Sequence, residues 1–186
     1  NTDRICIFTD TGNMHQIKML DIPFGKLRDK GRPIDNLGNY SSAGEAIVGI
    51  FTFSYIRERK LFFVTTKGMV KLVDASEFDV NRKTVMATKL EEFDKVVCVC
   101  PVLENETEVL LSSHGGYMLR FSLEEVPEKK KSAIGVRGMK LAEKDYIEQA
   151  FLLENEQEMF TYRNDKVAVS RVKEMKRDEK GTKLRL

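Results

Sequence analysis

The sequence predicts an all-β, propeller-like array of about four four-stranded antiparallel blades. The first observation is a β-rich run that breaks at a glycine and resumes as a second strand. It occurs at Phe8-Thr9-Asp10-Thr11-Gly12, Val64-Thr65-Thr66-Lys67-Gly68 and Ser112-Ser113-His114-Gly115-Gly116, with a degenerate fourth copy at Tyr162-Arg163-Asn164-Asp165. The second is the period. Taking Gly12, Gly68, Gly116 and Asp165 as equivalent, the spacings are 56, 48 and 49 residues, near the roughly 40 to 50 residues of one propeller-type blade. The third is the absence of any apolar pattern predicting a helix longer than one or two turns. The repeats fall at about 1–56, 57–105, 106–154 and 155–186, the last incomplete.

Each repeat opens with a short strand rich in β-branched and aromatic residues, such as Arg4-Ile5-Cys6-Ile7-Phe8, Lys60-Leu61-Phe62-Phe63-Val64 or Glu108-Val109-Leu110-Leu111. The glycine that closes it supplies the positive φ of a tight hairpin. The returning strand alternates, as in Met69-Val70-Lys71-Leu72-Val73 and Tyr117-Met118-Leu119-Arg120-Phe121. Asp74 to Phe78 and Ser122 to Val126 carry hints of a helical turn, and ten residues past each turn stands an apolar anchor: Ile22, Phe78, Val126 and Met175. A basic loop follows, then a short extended segment ending at Leu37, Leu90, Leu141 or Leu186. An acidic or polar turn precedes one more apolar strand, beginning near Glu45, Asp94 and Asp145.

Whole-chain charge is only +2, from 31 Lys plus Arg against 29 Asp plus Glu, so net charge says little about a nucleic-acid partner and the local distribution has to decide. Positive charge gathers in the basic loop of every repeat: Lys26, Arg28, Lys30 and Arg32; Arg82 and Lys83; Lys129, Lys130, Lys131, Arg137 and Lys140; and Lys173, Lys176, Arg177 and Lys180, with Lys183 and Arg185 beyond. The third set puts five positive charges and no negative one into twelve residues. Recurrence at one place in the repeat predicts a basic rim able to follow the backbone of duplex DNA with little sequence preference and strong salt dependence. Taken alone, a lysine run reads as a solvated loop, and Arg137 reads equally as an ion-pair partner for Asp145 or a neighbouring acid.

Other chemistry is not predicted. Cys6, Cys98 and Cys100 lie in apolar, strand-like runs and read as buried free thiols, which fits a reducing cytoplasm. His15 and His114 read as exposed turn residues, and with so few nitrogen and sulfur ligands no metal site is expected. The pairs Glu91-Glu92 and Glu124-Glu125 sit in polar turns without the setting of a glycosidase site. No apolar run reaches the roughly 18 to 20 residues that cross a bilayer, and no signal peptide is predicted. The opening Asn1-Thr2-Asp3-Arg4, without an initiator Met, is expected of an excised piece.

Two stretches carry a family resemblance: Lys30-Gly31-Arg32-Pro33-Ile34-Asp35-Asn36-Leu37, and Ile134-Gly135-Val136-Arg137-Gly138-Met139-Lys140-Leu141. So does Thr66-Lys67-Gly68-Met69-Val70-Lys71 with Glu77-Phe78 following. They resemble, over essentially the whole chain, the C-terminal domain of the A subunit of bacterial type IIA topoisomerases, the DNA gyrase and topoisomerase IV family. The resemblance implies a β-pinwheel, a propeller-like ring whose neighbouring blades exchange a strand, with DNA bent around its basic rim to direct supercoiling or crossing selection. It further implies a non-catalytic domain with no cofactor of its own. The partners it implies are duplex DNA, the A-subunit core and, through that core, the ATPase B subunit, with ATP and Mg2+ served by other regions. The Gln-Arg-Arg-Gly-Gly-Lys-Gly box of gyrases occurs nowhere in the sequence, which leaves gyrase and topoisomerase IV both open. With just under four blades against the family's five or six, an open or truncated ring is one outcome. A protein-interaction propeller is the alternative function, although the Trp-Asp endings of WD repeats are missing because the chain has no Trp.

Overall fold

The computed structural model describes residues 2–185. Among them fourteen strands follow in chain order: β1 (Arg4–Thr9), β2 (Asn13–Lys18), β3 (Ile47–Thr52), β4 (Lys60–Thr65), β5 (Met69–Asp74), β6 (Thr84–Met86), β7 (Val96–Pro101), β8 (Glu106–Ser113), β9 (Tyr117–Ser122), β10 (Val136–Arg137), β11 (Ile147–Glu154), β12 (Met159–Tyr162), β13 (Asp165–Ala168) and β14 (Thr182–Lys183). The one α-helix among the described residues is a single turn, Phe53–Ile56. The hinted turns are 3-10 helices at Ala75–Phe78 and Leu123–Glu125, begun by Asp74 and Ser122 side chains that accept from the N–H groups of Ser76 and Glu124.

The strands form three four-stranded sheets, ordered β3-β1-β2-β6, β10-β5-β4-β7 and β11-β8-β9-β14, and a two-stranded sheet β12-β13. All of their pairings are antiparallel. In each complete blade the fourth strand comes from the following repeat: Thr84–Met86 joins the first, Val136–Arg137 the second and Thr182–Lys183 the third. The basic loop of a repeat therefore runs straight into a strand of the blade before it. The third strands β3, β7 and β11 approach one another in series, which makes that edge the hub and puts the exchanged strands on the outer edge.

The hairpin tips repeat a small set of bonds. The amides of Gly12, Gly68 and Gly116 return to the carbonyls of Thr9, Thr65 and Ser113 at 3.1, 2.9 and 3.0 Å, and the glycines take φ of 84°, 83° and 86°, a region closed to most side chains. The hydroxyls of the same Thr9, Thr65 and Ser113 accept from the amides of Asn13, Met69 and Tyr117. The acidic turn has a structural job here. Asp94 Oδ1 accepts from Thr66 Oγ1 and the Lys67 amide, and Asp145 Oδ1 from the amides of Gly115 and Tyr146, tying each tip to the start of the third strand.

The fourth tip differs from the expectation. Tyr162 pairs with Asp165, so the loop is two residues, Arg163 and Asn164, with φ of 47° and 71°. That is the two-residue hairpin in which both central residues need positive φ and Asn is favoured. Asn164, not Asp165, therefore stands at the glycine's place. The second strand of this hairpin is also shorter, four residues against six in the first repeat, and that moves the anchor: the residue closing the 3-10 turn of this repeat is Val172, fully buried, whereas Met175 is only partly buried. Leu186 lies outside the described residues.

Apolar cores sit between blades. Phe8 and Met14 of the first blade pack with Leu61, Phe63, Val73 and Phe78 of the second repeat, and Phe8 meets the Phe63 and Phe78 rings edge-on at 6.1 and 5.2 Å. The second and third blades share Phe62, Val64, Leu111 and Phe121, and the third and fourth share Leu110, Met118, Phe160 and Tyr162. Each such side chain contributes about 1.5–3 kcal/mol by leaving water, and no blade could secure that alone. The other face of the first blade is closed by its own chain, with Tyr40, Ile34 and Leu37 over Ile7 and Ile17.

Candidate nucleic-acid interface

Because each exchanged strand lies on an outer edge, the basic segment preceding it emerges there, and the structure sorts the predicted residues by what their side chains already hold. Lys26, Arg28, Lys30 and Arg32 are exposed. Their loop is braced only locally: the Lys26 amide donates to Asp29 Oδ2 at 2.7 Å and the Asp29 amide returns to Lys26 O. Arg82, Lys83, Lys129, Lys130, Lys173 and Lys176 are likewise exposed. Among the described residues none of these ten side chains is in an ion pair.

Three predicted residues are committed within the protein. Lys131 Nζ donates to the Glu77 carbonyl at 3.0 Å, and its amide to Glu77 Oε1. Arg137 forms a two-pronged pair with Asp178, through Nε to Oδ1 and Nη2 to Oδ2, so the acid it pairs with is on the next repeat and is not Asp145. That pair holds the Asp178 carboxyl below the usual carboxylate range. Arg177 Nη1 donates to Arg137 O at 2.6 Å, and its amide to Glu125 Oε1. Two more stand between these groups. Lys140 is exposed and acts on Asp178 through space, and Lys180 Nζ sits 4.8 Å from the Tyr117 ring centroid, at cation–π distance.

The loops are also held from below. Gln16 Nε2 on β2 donates to the carbonyls of Val80 and Arg82, and Arg120 Nε on β9 to that of Val172. Lys71 on β5 reaches three carbonyls of the triple-lysine loop. Sequence reasoning places none of these three at the interface. A signal does exist for Lys71: it interrupts the apolar Met69-Val70-Lys71-Leu72-Val73, where a solvated lysine has no reason to stand among residues that pack on both faces. Burial pushes the Lys71 ammonium down to about 8.

His15 overturns the expectation of an exposed turn residue. It is 4% exposed, with Nδ1 2.7 Å from Thr84 Oγ1 and Nε2 2.6 Å from Glu45 Oε2. Burial pushes the Glu45 carboxyl up, but hydrogen bonds from Thr11, Asn13, Thr9 and His15 outweigh it and hold the carboxyl at about 2. His114 is exposed, stacked on Tyr146 and bonded to Glu148, which also takes Arg163. Cys6, Cys98 and Cys100 are free thiols, the first buried and the others half-buried. Among the described residues no group of three or more His, Cys, Asp or Glu could hold a metal ion, and no helix is long and apolar enough to cross a membrane.

A hub of third strands, an outer edge of strands borrowed from the next repeat and a basic loop feeding each borrowed strand define a strand-exchanged, propeller-type array. A family model described as "DNA gyrase C-terminal domain, beta-propeller" matches residues 59–97 and 107–154. The A subunit of DNA gyrase from Helicobacter pylori is 33% identical over 158 residues, covering 84% of this chain and 19% of that protein. The chain thus spans about one fifth of the length of that relative. The crystal structure of the C-terminal domain of DNA topoisomerase IV superposes with a TM-score of 0.88 at 26% identity, covering 97% of this chain and 58% of that one. A DNA gyrase A C-terminal domain structure gives a TM-score of 0.73 at 22% identity, covering 98% of this chain and 60% of that one. The chain belongs to the family of C-terminal domains of type IIA topoisomerase A subunits.

Proposed function

We propose that this chain is a non-catalytic DNA-binding and DNA-wrapping domain that bends duplex DNA around its outer edge. The observation that carries the reading is the recurrence of at least two exposed basic side chains, free of ion pairs, in the loop of every repeat: Lys26, Arg28, Lys30 and Arg32; Arg82 and Lys83; Lys129 and Lys130; Lys173 and Lys176. Duplex DNA carries one charge per ~1.7 Å of axis, so contacts spread over successive blades gain by releasing counterions. Many modest backbone contacts also offset the few kcal/mol that bending a site of ~20–30 base pairs costs. Arg137 and Arg177 support the surface chiefly by shaping it, while Lys140 and Lys180 add to its field.

In the parent enzyme this wrapping directs supercoiling or the selection of the crossing geometry. The partners that act on the wrapped DNA are the A-subunit core and, through it, the ATPase B subunit, with ATP and Mg2+ handled by those regions, in the cytoplasm. The test is titration of the chain with a fluorescent duplex over a range of salt. The logarithm of the binding constant should fall linearly with the logarithm of salt, by ~0.9 per phosphate contact, with little dependence on sequence. A flat response overturns the reading.

A further inference from the structure

In each complete blade one side chain of the second hairpin strand donates to main-chain carbonyls of the next repeat's basic segment. Gln16 Nε2 lies 2.6 Å from Val80 O and also reaches Arg82 O. Arg120 Nε lies 2.8 Å from Val172 O while its Nη1 holds both Glu108 oxygens. Lys71 makes the fullest version. Its Nζ lies 3.0 Å from Lys130 O, 3.2 Å from Lys131 O and 2.8 Å from Ala133 O.

An ammonium has three N–H donors and no acceptor, so all of this group's capacity is spent on one loop. Lys71 is 1% exposed. Its Nζ lies 5.2 Å from the Phe63 ring centroid, and among the described residues it makes no ion pair within 4 Å. A buried ammonium without a bonded counter-ion is costly unless its protons are satisfied; the loop carbonyls satisfy them, so the charge and the loop shape depend on each other. Thr88 Oγ1 donates to the same Ala133 O at 3.2 Å. Above this anchor Lys129 and Lys130 are exposed.

We infer that Lys71 is a positioning residue for DNA: without touching the duplex, its buried ammonium fixes the carbonyls of Lys130, Lys131 and Ala133 so that Lys129 and Lys130 meet phosphates in one prepared geometry. The inference rests on the DNA-wrapping reading and deepens it. A loop whose carbonyls are already fixed does not lose that freedom again on binding, which is the general gain of preorganisation.

The experiment is a double-mutant cycle by DNA titration of the whole chain at one fixed salt concentration. Lys71→Met leaves every surface charge in place, and it should weaken binding about tenfold, as expected for losing the preorganisation of two long side chains. In a Lys129→Ala/Lys130→Ala background the same Lys71→Met change should add nothing. An equal loss in both backgrounds means that Lys71 acts through general stability, and overturns the inference. Unaltered binding by Lys71→Met in a wild-type chain that shows a steep salt slope overturns the inference and leaves the DNA reading standing. No salt-dependent binding by the wild-type chain overturns both. Should Lys71→Met fail to fold, Lys71→Gln enters the same cycle: it keeps two donors, as Gln16 does, and should lose less than tenfold, while no loss overturns the inference.

Discussion

The loop at 23–33 and the loop at 129–135 look alike in sequence, each a basic run leading to a Gly-x-x segment, yet they are held in different ways. The later loop is anchored from below by Lys71 and Thr88, and its exit strand Val136–Arg137 is hydrogen-bonded into β5 of the preceding blade. Among the described residues the earlier loop is held by the Lys26–Asp29 brace and, at its end, by the Asn36 amide on Pro33 O, pairs with no sheet, and exposes Phe24 and Leu27 almost completely. Equal charge does not make equal surfaces. A charge on a fixed backbone is ready to bind, whereas one on a loosely held backbone must first be ordered.

The glycines of the two loops break the comparison most sharply. Gly135 takes φ of 102°, and a Cβ there would sit 2.6 Å from Val70 O, on backbone. Gly135→Ala should therefore lower unfolding stability by about 3 kcal/mol or more, from backbone strain plus the clash with β5, read by thermal or urea unfolding. Next in size is the acid response of the first repeat. The Glu45 carboxyl is held at about 2 against an ordinary 4.5, so its contribution is complete above 4.5 and is lost as pH falls through 2. That amounts to roughly 3 kcal/mol at most. Glu45→Gln should flatten the fall in stability between pH 4.5 and 2, and an unchanged acid limb would refute the linkage.

DNA titration gives the third contrast. Lys129→Ala with Lys130→Ala should weaken binding about tenfold or more and reduce the salt slope by about 2, and Lys26→Ala with Arg28→Ala should reduce the affinity less. An equal loss at both loops would remove the distinction between them. The smallest effect is expected at Gly31, where a Cβ would meet nothing within 4 Å and φ is not in the positive region. Gly31→Ala should be neutral or stabilise by up to ~1 kcal/mol. Any loss comparable to Gly135→Ala would show that the first loop is held as firmly as the third.

The blade pattern is legible in the sequence because hairpins are local: Gly12, Gly68 and Gly116 announce the positive φ, and the alternating strands follow at once. The exchanged strands are not legible as sheet partners. Runs of two or three residues such as Val136–Arg137 carry no periodicity, and their partners lie in the preceding repeat. The same non-local pairing hides the loss of Lys131, Arg137 and Arg177 to internal bonds, since Glu77 and Asp178 are far away in sequence. His15 misleads for a related reason: a residue three positions past a turn looks exposed until Glu45 and the borrowed Thr84 close over it. Asp165 passes for the turn position because the two-residue loop of Arg163 and Asn164 needs no glycine.

The borrowed strands also make the array directional under load. A pull on the loop at 129–135 enters both the repeat that owns the loop and, through Val136–Arg137, the blade before it. Tension from a stiff duplex trying to straighten is thereby spread backward along the chain, one junction at a time, instead of prising a single blade away from its neighbours.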